Sequence, residues 1–113
     1  MADNTVIWTG ASGEKYTLYL YPIGNGYKAL QGVYIFWKQG ADRLWYPIYI
    51  GEAADLNDRL NTNLKLHHQW ACITRNGATH ICSMSTQGST AQQRITIEAD
   101  LRQGYPNSTC NQQ

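Results

Sequence analysis

Residues 32–60 read GVYIFWKQGADRLWYPIYIGEAADLNDRL, and the fold is decided there. Residues 32–37 and 44–50 are rich in aromatic and β-branched side chains and flank a polar segment at 38–42, the pattern of two strands joined by a turn. Pro47 lacks an N–H to give to a ladder, which predicts an edge position or a bulge for the second strand. From Asp55 the period changes: Leu56, Leu60 and Leu64 stand four residues apart, so a helix is predicted into the 60s, with Asp55 as its N-cap. At ~100° per residue, Arg59 falls on the edge of that leucine stripe. Two strand phenols, Tyr34 and Tyr49, and one helix guanidinium, Arg59, are thereby expected at one end of a small sheet.

Towards the N-terminus, residues 16–21 (YTLYLY) read as a strand ended by Pro22 and by Gly24-Asn25-Gly26. Residues 1–15 read as a polar lead-in with one apolar patch, Val6-Ile7-Trp8, and a turn at Ser12-Gly13. Gly77 marks a break, and residues 78–85 (ATHICSMS) predict a short strand with His80 and Cys82 on one face. A last helix is predicted from Ser89 to about Gln103, with Ser89 and Gln92 as a capping box, Gly104 after its end and Pro106 as a stop. Ala91, Ile95, Ile97, Ala99 and Leu101 form its apolar arc; Glu98 points near the middle of that arc and Asp100 away from it. A carboxylate on an inward face is costly unless paired or bound to a cation, so Glu98 stands out. The expected fold is α+β: a small antiparallel or mixed sheet of about three main strands flanked by helices. Residues 1–31 are read as an N-terminal strand extension and 32–111 as the motif-bearing core of one domain.

The length of 113 residues suffices for a core without staples. A formal net charge of +1 argues against a protein that holds nucleic acid by bulk charge alone, while leaving room for a local basic patch. Cys72, Cys82 and Cys110 form no CxxC pair and leave one over in any disulfide scheme. The opening MADNTVIWTG lacks a basic start and an apolar core, and no apolar run approaches the ~18 residues of a membrane span, so free thiols in a reducing cytoplasm are expected.

The residues able to carry chemistry are Tyr34, Tyr49, Arg59, His67, His68 and Glu98. Phosphodiester hydrolysis needs a base for water, a cation to balance phosphate charge, and a metal or acid for the leaving oxygen. One carboxylate suffices for a Mg²⁺ or Mn²⁺ that keeps most of its waters. A phenol with a pKa near ~10 is a poor base unless nearby positive charge lowers that value, which Arg59 and His67 are placed to do.

Gly32-Val33-Tyr34 followed by Tyr49-Ile50-Gly51 resembles the paired motif of the GIY-YIG endonucleases. The resemblance continues through Arg59, the histidine region HHQWACITRNGATHI, Glu98 in RITIEADLRQGY, and the Cys110-Asn111 pair. It implies an endonuclease cutting DNA, most simply double-stranded, with a homodimer as one way of placing two sites on opposite strands. By the same resemblance Tyr34 activates the attacking water, with Tyr49 second to it, and Arg59 binds the scissile phosphate. His67 takes part in hydrogen bonding or proton transfer near the nucleophile, Glu98 is the single protein ligand of Mg²⁺ or Mn²⁺, and Asn111 orients phosphate or a catalytic side chain. If helix continues from Arg59, His67 stays on the arginine's face and His68 points elsewhere. Where many members carry lysine just after the second motif, this chain has Glu52.

Each of these residues has a plainer reading. Tyr34 and Tyr49 are then cross-strand aromatics, Arg59 a snorkelling surface residue, and Glu98 an ion cluster with Arg94 and Arg102. His67 is then an ordinary residue at a helix end and Asn111 a tail residue. The functional alternatives are a nucleic-acid-binding module that keeps the fold without cleaving, and a domain stabilised by metal at His68, Cys72, His80 and Cys82.

Overall fold

The computed structural model describes residues 5–22, 31–42, 44–62, 64, 67–86, 90–106 and 108–112. Five strands, β1 (Thr5–Thr9), β2 (Lys15–Pro22), β3 (Gly32–Gln39), β4 (Trp45–Ala53) and β5 (His80–Ser85), form one sheet in the order β1-β2-β5-β3-β4. Every neighbouring pair is antiparallel, so the sheet is not mixed, and it adds one strand to the four stretches read as strands. The Val6-Ile7-Trp8 patch supplies the strand missing from the sequence reading: it pairs with β2 residue by residue, Val6 opposite Leu18 and Trp8 opposite Tyr16. The expected turn at 24–26 lies outside the described residues.

β4 is an edge strand, and the ladder with β3 shifts register where Phe36 faces Tyr49 and Trp37 faces Pro47, leaving Ile48 as the extra residue. Pro47 therefore sits at an edge and beside a bulge, the two places where its missing N–H costs least. The bulge also turns Ile48 and Tyr49 towards the same core.

β3 is an interior strand, between β5 and the β4 edge, and buried on both faces. Val33, Ile35 and Trp37 join Trp8, Leu18, Ile50, Cys82 and Leu101 in one core; Tyr34 and Phe36 join Ile48, Tyr49, Leu56, Leu60, Leu64 and Ile73 in the other. Alternation along an extended strand is what sends consecutive residues to opposite layers.

The helix expected into the 60s reaches Thr62 with Leu56, Leu60 and Leu64 in one core, but not as regular α-helix. Asp55 does cap its start, Oδ1 accepting from Asp58 N at 2.9 Å, but a π-helical turn at Asp58–Thr62 comes next, and a separate short helix α1 (Trp70–Arg75) begins after the histidines. The last helix, α2 (Ala91–Gly104), is capped by Thr90 and Gln93, one residue later than the expected frame; Ser89 lies outside the described residues. Its inward face is also different: Arg94 and Leu101 are its buried residues and Ile97 packs on the core, whereas Ile95 is exposed. Asp100, expected to point away, accepts from Ser12 N (2.8 Å), Ser12 Oγ (2.8 Å) and Tyr16 Oη (2.7 Å), and so pins the β1–β2 hairpin to α2.

The free-thiol expectation is corrected at two of three cysteines: Cys72 of α1 is disulfide-bonded to Cys110 in a 3-10 turn at Thr109–Gln112, and Cys82 is free and buried. Among the described residues no helix is long and apolar enough to cross a membrane.

Candidate active site

Tyr34 on β3 stands opposite Gly51 on β4, and the glycine is what lets the phenol lie down across the strand. A Cβ on Gly51 would sit 2.6 Å from the Tyr34 hydroxyl and 2.8 Å from the Tyr49 ring. The two tyrosine rings are 6.2 Å apart, and Tyr34 is wholly buried.

Both histidines meet these phenols. Because residues 67–69 form a turn rather than a continued helix, His67 and His68 stack on each other, with ring centroids 4.8 Å apart and planes at 11°. Nε2 of His67 lies 2.6 Å from the Tyr34 hydroxyl, and Nε2 of His68 lies 3.3 Å from that of Tyr49. The expectation that His68 points elsewhere is therefore corrected. His67 Nδ1 accepts the Gln69 N–H at 3.0 Å, which puts the proton of the neutral ring on Nε2 and makes His67 a donor to Tyr34. Burial, then His68, then Arg59 lower the His67 pKa to about 4, so the ring is neutral at physiological pH.

Arg59 hydrogen-bonds the Tyr34 hydroxyl and acts electrostatically on Tyr49 and His67 as well. The Tyr34 oxygen thus receives two donors, His67 and Arg59, the arrangement that holds a phenolate. Burial nevertheless dominates, with Tyr49 adding to it, and raises the Tyr34 pKa above the ordinary phenol value. The expected lowering by neighbouring charge is present but loses to desolvation. Tyr49 is raised too, by burial first, against the pull of Arg102.

Glu98 lies within electrostatic reach of both phenols. Of the two arginines that flank it on α2, only Arg102 approaches, at 3.7 Å; Arg94 is engaged by Glu52 at 3.0 Å and by Gln31. Burial and the Glu52 charge raise the Glu98 pKa, while Arg102 and the Glu52 backbone N–H draw it down. A half-buried carboxylate is a hard oxygen donor, and it fits a divalent cation that keeps most of its waters. Among the described residues no group of three His, Cys, Asp or Glu could hold a metal, and Cys72 has spent its sulfur on the disulfide, so the four-residue metal cluster is not built.

Arg102 is a site residue that sequence reasoning missed. Its Nη2 donates to Tyr49 Oη at 3.3 Å, its guanidinium lies 5.5 Å from the Tyr49 ring centre, and Nε and Nη2 both donate to Ile50 O. The signal was its place one turn after Glu98. Asn111 is engaged with backbone: Oδ1 accepts from Ile50 N at 2.8 Å and Nδ2 donates to Ile50 O at 3.0 Å.

Tyr34, Tyr49, Arg59, His67, His68, Glu98 and Arg102 thus form one connected cluster around the β3–β4 pair. The chain matches no family model, no curated protein and no solved structure.

Proposed function

We propose that this chain is an endonuclease of the GIY-YIG type that hydrolyses DNA phosphodiester bonds with a divalent cation. One observation carries the reading: two phenols, two histidines, an arginine and a carboxylate, drawn from β3, β4, the turns at 58–62 and 67–69, and α2, meet at one place. Such a set holds the elements of phosphoryl transfer and little that a plain core would need.

In this reading the Tyr34 phenol first gives up its own proton to solvent, and the phenolate so formed takes the proton of the attacking water. The donors His67 Nε2–H and Arg59 hold its oxygen in place and stabilise the phenolate as it forms. Arg59 and Arg102 supply positive charge to the phosphate oxygens. The Tyr49 hydroxyl, which accepts from Arg102, is aimed at exposed His68, a path by which a proton reaches solvent. Glu98 would hold Mg²⁺ or Mn²⁺, which supplies positive charge to the departing oxygen and lowers the cost of ionising the phenol.

The test is cleavage of supercoiled plasmid DNA with Mg²⁺ or Mn²⁺ by the intact chain and by Tyr34→Phe. The reading requires cleavage that the substitution reduces by two orders of magnitude or more, roughly the worth of a general base. Equal cleavage by Tyr34→Phe removes the tyrosine from the chemistry. The second reading, a nucleic-acid-binding module without cleavage, draws on the complete burial of Tyr34 and the upward shift of its pKa. DNA retained by the chain but uncut under every divalent cation selects that reading.

A further inference from the structure

An edge strand directs the N–H and C=O of alternate residues away from its sheet, where water, another chain or a side chain must satisfy them. Ile50, opposite Ile35 in the β3–β4 ladder, is such a residue. Asn111 meets both groups at once, accepting the Ile50 N–H and donating to the Ile50 C=O, which it shares with Arg102. Ile50 separates Tyr49 from Gly51, the residue on which Tyr34 rests, so whatever grips Ile50 sets the spacing of the two phenols. Asn111 is itself steadied by Ser108, whose Oγ donates to its Oδ1 at 2.7 Å and whose C=O accepts its N–H at 3.1 Å.

The residue before Asn111 is Cys110, bonded to Cys72. α1, which carries Cys72, begins directly after the turn that aims His67 at Tyr34 and His68 at Tyr49. Asn76 Nδ2 closes the arrangement by donating to Cys72 O at 2.8 Å. One covalent bond therefore ties the segment that brings the histidines to the turn that holds the strand bearing Tyr49.

We propose that the Cys72–Cys110 disulfide is a redox latch on the tyrosine–histidine site, with Asn111 as the positioning residue it controls. The oxidised latch keeps Asn111 on Ile50. A dithiol reductant opens it: two electrons and two protons pass from the dithiol to the Cys72 and Cys110 sulfurs, which end as thiols, and the dithiol becomes a disulfide. The 3-10 turn is then held by noncovalent contacts alone, Asn111 leaves Ile50, and the register of Tyr49 against Tyr34 and the histidines relaxes. That the latch governs cleavage rests on the function proposed above; the motion itself does not.

Hydrogen exchange at the Ile50 amide reads the latch without any cleavage. The full chain is compared oxidised, reduced with dithiothreitol and reoxidised, with Cys82, paired between β2 and β3, as an internal reference. Reduction is expected to speed Ile50 exchange by about tenfold or more beyond any change at Cys82, which carries only the global loss of stability, as local opening does. Reoxidation restores the slow rate, Asn111→Ala exchanges fast in either redox state, and Cys72→Ser/Cys110→Ser is fast and blind to reductant. Should the double serine variant not fold, the reduced natural chain decides alone. A disulfide that dithiothreitol cannot open in the folded chain, or unchanged Ile50 exchange after complete reduction, overturns the latch. Retained redox sensitivity at Ile50 in a chain that never cuts DNA keeps the latch and discards its link to cleavage.

Discussion

The Tyr34 hydroxyl lies 2.6 Å from Nε2 of His67, and the other nitrogen of that ring accepts the Gln69 N–H. The backbone of the turn at 67–69 thereby chooses the tautomer, and the tautomer makes His67 a donor to the phenol rather than a base for it. With Arg59 as the second donor, the Tyr34 oxygen is prepared to carry charge inside a layer that disfavours charge.

His67 is expected to be neutral and protonated on Nε2 at pH 7, and to titrate near the lowered value of about 4. Nitrogen chemical shifts of the imidazole check both. A folded pKa below the unfolded value of about 6.5 means that the unfolded chain binds the extra proton first. This stability is complete above about pH 6.5 and is lost as the pH falls towards 4. Denaturant titrations across that window are expected to show the loss, and His67→Gln to remove its share.

Glu98 has the opposite sign. Its folded pKa is raised, so its contribution is fully present below the unfolded carboxyl value and fades as the pH rises through the folded one. Glu98→Gln, which keeps the shape without the charge, is therefore expected to be at least as stable as the natural chain at pH 7. A clear loss of stability would mean that the Arg102 contact outweighs the burial of the carboxylate.

Gly51→Ala tests the packing of the two phenols. The added carbon would overlap the Tyr34 and Tyr49 rings, and overpacking of this kind costs about 1–3 kcal/mol. Urea denaturation measures it, and near-ultraviolet circular dichroism should show the tyrosine environment altered. A neutral substitution would show that the rings move apart at little cost.

Reduction of Cys72–Cys110 removes a link closing a loop with a sequence separation of 38. Chain entropy puts the effect at roughly 4 kcal/mol, so the denaturation midpoint should fall clearly with reductant. An unmoved midpoint would mean that the oxidised chain carries native strain of about the same size.

The hairpin of β3 and β4 was legible because alternation and Pro47 report directly on local backbone. The start at Asp55 was legible for the same reason. The path of the chain beyond Asp58 was not. A leucine every fourth residue is compatible with a helix, but the chain winds as a π-helical turn at Asp58–Thr62 and uses the turn at 67–69 to deliver two histidines. A helical wheel cannot see such a turn, so it placed His68 wrongly. The α2 cap slipped by one because Ser-Thr-Ala-Gln-Gln offers two equivalent frames, and the backbone took Thr90 with Gln93. β1 was too short to stand out and exists through its ladder with β2. The Cys72–Cys110 bond and the hold of Asn111 on Ile50 join residues far apart in the chain, and no local pattern announces either. Tyr34, Tyr49, Arg59 and Glu98 were singled out as chemical types; the upward shift of both phenols depends on burial, which only packing reveals.

The most direct measurement is the single-turnover rate of DNA cleavage with Mn²⁺ for the natural chain and for Glu98→Gln, both shown to be folded. The proposed chemistry predicts cleavage that chelation abolishes and that Glu98→Gln lowers by at least about 100-fold, the scale of a lost electrostatic contribution to the transition state. Cleavage at an equal rate by Glu98→Gln, or none by the natural chain with any divalent cation, would contradict it.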